Sequence, residues 1–200
     1  MINSEFLKNL NEAQKKAVTH FEGPLLVVAG AGSGKTKVLT SRIANLIREK
    51  KAVPNQIVDV TVTNKAAREM QIRVSKILGV EATGLHWLGT FHAICAKLLR
   101  KQANAAGLNS NFTIVDTDDQ SKLIKNICKA ENIDTKQLAP KYILTIIDRW
   151  KNKGFYPDEV VINKKDMYEK TVLPIYKMYQ NKLLDLNAWD FGDLILHCVK

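Results

Sequence analysis

The sequence predicts an α/β fold in which a parallel sheet flanked by helices is followed by a mostly helical part. An apolar run at residues 25–29 leads into a glycine-rich loop and then a helical pattern, which is the order of a βα unit in a parallel sheet. Similar junctions follow at residues 57–70 and 87–100. Beyond residue 110, helical patterns follow one another with little strand signal.

The first helix is predicted to begin after Asn11. This residue is a favourable N-cap, and Gln14 follows three residues later, as in a capping box. The amide of Gln14 can also donate to, and accept from, the edge of an adenine. The spacing alone favours the capping role of Gln14 and leaves adenine recognition as the alternative.

The apolar run at residues 25–29 is predicted to be a buried strand, and the loop after it carries the strongest chemical signal. The loop glycines tolerate positive φ, so several backbone N–H groups can point at one phosphate chain. The next helix presents its positive end near Lys35. We expect Lys35 to reach the outer phosphates and the Thr36 hydroxyl to coordinate Mg²⁺. The pattern is that of a phosphate-binding loop except at Ala29, where glycine is usual.

The second junction begins with a run of β-branched residues. Residues 57–63 predict a strand, although the charge of Asp59 within it is costly unless it is paired. A helix with a basic outer side follows. Because ligands of open α/β sheets bind where strands end and helices begin, Thr63, Asn64 and Lys65 are candidate ligand contacts.

The third junction runs from Trp87 to His92. The Thr90 hydroxyl can donate to a phosphate oxygen, and Phe91 can stack on a base or pack in a core. Taken alone, the residue types favour a core position for Phe91 and an ordinary satisfied polar role for His92. Gly89 would let a partner approach the backbone closely.

The residues after 110 predict a small helical module without a catalytic signature, followed by a last helix. Residues 112–115 predict a short strand, and Thr117 followed by Gln120 predicts a capping box. Three helical patterns come next, at residues 123–130, 142–150 and 172–186. Asp190 is expected to cap the last helix, and the chain stops within that helical pattern.

The charge of the chain indicates a polyanionic partner. The sequence holds 30 Lys and Arg against 20 Asp and Glu, a formal charge of +10, and residues 1–110 carry +9 of it. Ordinary solubilising lysines are the alternative. The three cysteines lack metal-ligand spacing and are expected to be reduced thiols. Since neither a signal peptide nor a membrane-spanning apolar stretch is visible, we expect a cytoplasmic protein.

Five blocks of the sequence occur in an informative order. They are LNEAQKKAV (10–18), AGAGSGKTKVLTSRI (29–43), TVTNKAAREM (61–70), WLGTFHAICAKLLR (87–100) and WDFGDLILH (189–197). In order and spacing they resemble the amino-terminal part of the UvrD/Rep/PcrA helicases of superfamily 1. Alanine is also common in this family at position 29.

The resemblance implies a P-loop NTPase fold. Residues 1–110 would begin a RecA-like ATP-binding domain, 111–186 would be a helical inserted subdomain, and 187–200 would return to the first domain, truncated. ATP and Mg²⁺ would be the cofactors, with Gln14 reading adenine and Lys37 lying near the base. The implied nucleotide-binding residues are Gln14, Ala29, Gly30, Ala31, Gly32, Ser33, Gly34, Lys35, Thr36 and Lys37, with Lys35 and Thr36 catalytic and Thr36 at the metal. The implied DNA contacts are Thr63, Asn64, Lys65, Thr90, Phe91 and His92.

The implied function is that of the ATP-binding front part of a 3′–5′ DNA helicase, which translocates on single-stranded DNA and unwinds duplex in repair or replication. The family's next motif, an Asp-Glu pair on a strand, and its second motor domain are not in this sequence. Phosphoryl transfer depends on charge stabilisation by such groups. We therefore expect a further region of chain or a second polypeptide to supply them, and negligible hydrolysis by this chain alone.

The sequence also departs from the family pattern. The family usually has Phe, which touches DNA bases, where Val62 stands, and a small apolar residue where Asp59 stands. Trp189 and Gly192 replace the usual Leu and Asp. Two alternatives therefore stay open: a non-catalytic nucleotide- and DNA-binding remnant of such a helicase, and an unrelated P-loop kinase, which would leave the TNKAAREM and GTFHA blocks unexplained.

Overall fold

A computed structural model describes residues 5–79, 84–107, 109–162 and 167–200 of the chain. Helices and strands are mixed in it, with two small parallel sheets. The chain divides into two compact units, Met1–Ile94 and Cys95–Lys200. None of the helices in the described residues is long and apolar enough to cross a membrane.

The first unit contains four complete α-helices and two strands in its described residues. They are α1 (Glu5–Lys8), α2 (Glu12–Thr19), α3 (Lys35–Arg48), β1 (Val58–Thr61), α4 (Asn64–Leu78) and β2 (Trp87–Thr90). Helix α5 (Phe91–Lys101) begins in this unit and continues into the second. The remaining elements belong to the second unit: β3 (Thr113–Ile114), α6 (Thr117–Ala130), α7 (Pro140–Asn152), α8 (Glu169–Asp185), β4 (Ala188–Trp189) and α9 (Phe191–Val199).

Strands β1 and β2 pair in parallel, which confirms the junctions predicted at residues 57–70 and 87–100. Val58 lies opposite Trp87, and Thr61 lies opposite Thr90. The carboxyl ends of both strands therefore meet at one edge, where α4 and α5 begin. Apolar side chains at helical spacing on α3 and α4 form the core beside this sheet. Its buried members are Ile43, Ala44, Ile57, Met70, Val74, Leu78, Leu85 and Leu88.

The prediction of a buried strand at residues 25–29 is wrong for this structure. These residues have no regular secondary structure. The side chains of Leu26 and Val28 are 86% and 87% exposed, and those of Leu25 and Val27 are 42% and 44% exposed. An apolar run is buried as a strand only when neighbouring strands accept its hydrogen bonds and helices cover its faces. Among the described residues, no strand pairs with this segment.

The second unit has a closed core formed by α6, α7 and α8, as the three helical patterns predict. Ile147, Ile175 and Tyr179 are fully buried there. The rings of Trp150 and Tyr176 stack at 5.8 Å between centroids. The strand predicted at 112–115 is present as β3, which pairs in parallel with β4.

One predicted cap is wrong by a single residue. The N-cap of α6 is Asp116, whose carboxylate accepts from the backbone N–H groups of Asp118 and Asp119 at 2.9 Å each. Thr117 is instead the first helical residue. Aspartate satisfies the first N–H groups of a helix at least as well as threonine does, and the position before Thr117 therefore takes the cap.

A buried ionic cluster holds the start of α9 against α7 and α8. The ammonium of Lys151 lies 2.6 Å from a carboxylate oxygen of Asp190 and 2.7 Å from one of Asp193, and all three side chains are almost fully buried. The hydroxyl of Tyr179 donates to Asp190 at 2.9 Å, and the amide of Gln180 donates to Asp193 at 3.0 Å. Asp190 also caps α9, as predicted from the sequence.

The pKa values of the two carboxyl groups in this cluster are shifted in opposite directions. Burial raises the pKa of Asp193 to about 6, against the opposing effect of Lys151. At Asp190, burial is outweighed by Lys151 and by hydrogen bonds, so its pKa is lowered. The imidazole of His197 lies close by on α9, and burial lowers its pKa to about 4. The contacts of this cluster therefore connect the start of α9 to α7 within the second unit.

Candidate nucleotide and nucleic-acid site

The backbone of the phosphate loop is shaped by glycines in the left-handed region. Gly32 has φ +73° and Gly34 has φ +85°, conformations that L side chains rarely adopt. Gly34 is the N-cap of α3, so the helix begins at Lys35, as predicted. The first N–H groups of a helix have no partner within it, and together with the helix dipole they favour an anion at this point.

The Lys35 side chain folds back over this loop. Its ammonium donates to the carbonyl oxygens of Ala29 at 2.8 Å and of Gly30 at 2.6 Å. The Ser33 hydroxyl donates to the same Gly30 oxygen at 2.7 Å. A phosphate oxygen would attract this ammonium more strongly than neutral carbonyls do, because charge-assisted hydrogen bonds are the stronger ones. The ammonium, the exposed hydroxyl of Thr36 and the helix terminus form a donor set that fits the phosphates of a nucleotide.

Gln14 connects the cap of α2 to the phosphate loop. Its side-chain oxygen accepts from the backbone N–H of Asn11 at 3.0 Å, and Asn11 accepts from the backbone N–H of Gln14 at 2.8 Å, which confirms the capping box. Its amide nitrogen donates to the carbonyl of Ser33 at 3.1 Å. A Cβ placed on Gly34 would lie 3.0 Å from this nitrogen. Gln14 is therefore part of the capping box and also contacts the phosphate loop. To bind an adenine, its side-chain amide would have to give up its bond to Asn11 or its bond to Ser33.

Lys37 is tied to the amino-terminal segment by a contact that the sequence analysis missed. Its ammonium donates to the backbone carbonyl of Asn9 at 2.6 Å. A backbone carbonyl acts through its position and not through its side chain, so no sequence signal could have identified Asn9. The contact brings Lys37 to the side of the loop on which Gln14 lies.

The residues predicted to contact DNA lie at the carboxyl edge of β1 and β2. The Thr63 hydroxyl caps α4 by accepting from the backbone N–H of Ala66 at 3.2 Å. The Thr90 hydroxyl donates to the side-chain oxygen of Asn64 at 3.4 Å and accepts from the backbone N–H of Ala93 at 3.3 Å. The structure thus brings residues from two junctions together, although they are far apart in sequence.

Two apolar side chains are exposed beside this edge. Phe91 is 62% exposed, so the core position favoured by residue type alone is wrong for it. Val62 is 96% exposed. Lys65 and His92 are also exposed. The close approach expected at Gly89 comes from within the chain, since a Cβ there would meet the Ile94 side chain at 3.4 Å.

Asp59 is buried in β1 at a cost that the sequence analysis anticipated. Its side chain is 7% exposed, and one carboxylate oxygen has no hydrogen-bond partner. Burial raises the pKa of this carboxyl group. Asp59 lies two residues after Ile57, a member of the core beside the sheet, so the two side chains are on the same side of the chain.

The one Asp-Glu dipeptide in the sequence is Asp158-Glu159. It lies in a 3₁₀ turn, Pro157–Glu159, and not on a strand. Its carboxylates pair with Lys177 at 2.5 Å and with Lys200 at 2.7 Å. These side chains therefore act as surface ion-pair partners.

Comparison with known proteins gives a family match along nearly the whole chain. The model of the UvrD/REP helicase N-terminal domain matches residues 10–200. That range includes the phosphate loop, both strand-to-helix junctions and the helical module.

Individual relatives agree with this match. The chain is 48% identical to a "Probable DNA helicase II homolog" of Rickettsia conorii, over 98% of this chain and 30% of the relative. It is 45% identical to "ATP-dependent DNA helicase PcrA" of Staphylococcus epidermidis, over 95% of this chain and 26% of the relative. The PcrA of Bacillus subtilis is 45% identical, over all of this chain and 27% of the relative. The chain thus spans less than a third of the length of these relatives.

Proposed function

The chain belongs to the UvrD/REP helicase N-terminal domain family, and on that premise we propose that it is the ATP-binding front part of an ATP-dependent 3′–5′ DNA helicase. Such a motor would translocate on single-stranded DNA and unwind duplex in cytoplasmic DNA repair or replication. The observation that supports the proposal most directly is the loop before α3, with Gly34 at the helix start, Lys35 folded over the loop and Gln14 bonded to it.

The nucleotide residues have distinct roles in this proposal. Lys35 would exchange the carbonyls of Ala29 and Gly30 for the outer phosphates, and Thr36 would provide its hydroxyl to Mg²⁺. Gln14 would turn its amide toward the adenine, and Lys37 would lie near the base. ATP with Mg²⁺ would supply the phosphoryl group whose transfer drives movement. The full nucleotide set is Gln14, Ala29, Gly30, Ala31, Gly32, Ser33, Gly34, Lys35, Thr36 and Lys37.

We place single-stranded DNA at the carboxyl edge of β1 and β2. The exposed ring of Phe91 offers a stacking face, and the hydroxyl groups of Thr63 and Thr90 offer hydrogen bonds to phosphate. Lys65 adds a positive charge from the first turn of α4. Asn64 and His92 complete the proposed DNA contacts. The +9 charge of residues 1–110, a range that includes this edge, favours a polyanionic ligand.

The proposed domain arrangement follows from the same premise. Residues 1–110 begin a RecA-like domain, 111–186 form an inserted helical subdomain, and 187–200 return to the first domain. In a complete RecA-like sheet, the exposed run at residues 25–29 would be a strand. The catalytic Asp-Glu pair and second motor domain would come from a further region of chain or a second polypeptide.

The test of this proposal is nucleotide binding. We expect the chain to bind ATP with Mg²⁺ weakly, with loss of binding in Lys35→Ala and retention in Lys16→Ala, an exposed lysine of α2 as control. Hydrolysis should be negligible. DNA-stimulated turnover that disappears in Lys35→Ala would contradict the expectation that other groups are needed, and unchanged ATP binding in that variant would overturn the proposed site.

The uneven charge also supports a second candidate, a nucleotide- and DNA-binding protein without catalysis. The two candidates differ in whether the chain supports ATP hydrolysis once the missing motor parts are supplied. Fusing the chain to the matching remainder of a relative such as the Bacillus subtilis PcrA should give a DNA-stimulated ATPase if the chain is the front of a motor. A fusion that binds ATP and DNA but hydrolyses nothing would favour the second candidate.

A further inference from the structure

An exposed pair of tyrosines lies on the helical module, away from its core. The rings of Tyr142 and Tyr168 meet edge to face, with centroids 5.5 Å apart and an angle of 84° between the planes. Tyr142 stands in the first turn of α7, and Tyr168 is the N-cap of α8. Their side chains are 45% and 42% exposed. The sequence alone could not select these two among the aromatic residues of the module.

The other tyrosines of α8 show what a core role looks like here. Tyr176 and Tyr179 are fully buried, and each hydroxyl donates to a defined acceptor. In an edge-to-face pair, the edge of one ring covers one face of the other ring. Both side chains of this pair also remain partly exposed to solvent. Tyr142 and Tyr168 therefore present aromatic surface to solvent in a geometry fixed by two helices.

Two exposed lysines are close to the pair in sequence. Lys141 precedes Tyr142, Lys170 follows two residues after Tyr168, and both lysines are exposed. Within the described residues, neither lysine has a carboxylate at ion-pair distance. The nearby charges of Arg149 and Glu169 compensate each other in a 2.7 Å ion pair. Each of the two helices that carry the rings thus also carries an exposed lysine within two residues of its tyrosine.

We infer that Tyr142 and Tyr168 form a stacking site for a base of single-stranded nucleic acid, with Lys141 and Lys170 contacting its phosphates. Aromatic rings beside cationic side chains bind single strands, because every base has a π face and every phosphodiester group has a negative charge. The inference rests on the proposed function and adds a base contact on the helical module, separate from the β1–β2 edge.

The experiment compares two probes of equal length, an oligothymidylate and the same phosphate backbone without bases. Fluorescence anisotropy at low salt gives the affinity of the full chain for each. We expect Tyr142→Ala and Tyr168→Ala to weaken oligothymidylate binding by about fivefold or more. Binding of the abasic strand should change little, and Tyr142→Phe should keep wild-type affinity. Leu184→Ala, at a comparably exposed apolar side chain of α8, is the matched control.

Each outcome has a definite meaning. Tyrosine variants that bind oligothymidylate as the wild type does, while the chain still binds DNA, overturn this inference alone and leave the aromatic pair as a surface for another macromolecule. Equal losses for both probes overturn base stacking, since they would reflect phosphate contacts or altered structure. No binding of either probe by the wild-type chain overturns both this inference and the proposed DNA edge.

Discussion

The two units of the chain bury their apolar residues to very different extents. In the second unit, α6, α7 and α8 enclose fully buried side chains such as Ile147, Ile175 and Leu183. In the first unit, four consecutive apolar residues, Leu25 to Val28, are exposed, and no strand in the described residues pairs with them. Helices satisfy their own backbone hydrogen bonds, whereas a strand needs neighbours.

This difference indicates where we expect the more stable parts of the chain and is consistent with the ligand sites that we propose. The closed helical core makes the second unit rigid. In the same unit, a buried lysine and two buried aspartates hold the start of α9 in place. In the first unit, polar and glycine-rich segments at helix starts stay accessible. We therefore expect hydrogen exchange, resolved by peptide, to show slower exchange in α7 and α8 than in residues 20–35.

The largest expected effect comes from removing the cation of the buried cluster. Lys151→Ala leaves Asp190 and Asp193 side by side without their counterion, and breaking a buried pair in this way costs about 3–5 kcal/mol. Chemical denaturation monitored through tryptophan fluorescence measures the loss. Lys177→Ala, which removes a half-exposed ion pair with Asp158, should cost no more than about 1 kcal/mol. Equal costs for the two variants would mean that the cluster does not hold α9.

The second prediction compares the two units directly. Ile147→Ala removes a fully buried side chain and should cost about 2–5 kcal/mol, through lost burial and the cavity left behind. Leu26→Ala removes an apolar side chain that is already 86% exposed, and the stability should change by no more than about 0.5 kcal/mol. Denaturation curves of the two variants test this contrast. A large loss in Leu26→Ala would show that the segment is packed in solution.

The third prediction concerns Asp59, the buried aspartate in the sheet of the first unit. Asp59→Ala removes a buried carboxylate with an unpaired oxygen and should stabilise this unit by about 1–3 kcal/mol at neutral pH. Asp185→Ala, at an exposed aspartate, is the control. Hydrogen exchange of β1 and β2 peptides reports the gain where it is expected.

The pH dependence gives this prediction a sign. Because burial raises the folded-state pKa of Asp59, the folded protein binds the proton more tightly than the unfolded chain does. The penalty is therefore full above the raised pKa and is relieved as the pH falls through it toward the unfolded value of about 3.9. The gain in the free energy of unfolding from Asp59→Ala should therefore become smaller as the pH falls between these two pKa values. An advantage that grows on acidification would contradict the burial argument.

Local chemistry made much of the fold predictable. Caps such as Asn11 and Asp190, and the glycine that precedes α3, act within three or four residues, so the sequence window contains the whole interaction. The strand at residues 25–29 could not be judged in this way, since its burial depends on partners elsewhere in the chain. The run is as apolar as a core strand, yet it is exposed.

Contacts between distant residues were harder to predict for the same reason. The pairing of Lys151 with Asp190 and Asp193 joins elements about 40 residues apart, and each residue alone is an ordinary surface type. The bond from Gln14 to the carbonyl of Ser33 joins residues 19 positions apart, and neither the capping box nor the family resemblance predicted it. The Tyr142–Tyr168 pair depends on how α7 and α8 cross, and no local pattern encodes that crossing.

The smallest expected effect tests whether the carboxyl edge of β1 and β2 in the first unit binds DNA. Val62 is 96% exposed just beyond β1, where the helicase family usually has Phe. Val62→Phe should leave stability within about 0.5 kcal/mol of wild type, because no core contact changes. It should tighten oligothymidylate binding by about fivefold, since one added aromatic ring can stack on one base. Val58→Phe, at the opposite end of the same strand, should not. Equal gains in both variants would mean that added hydrophobic surface, and not the edge where α4 and α5 begin, binds the strand.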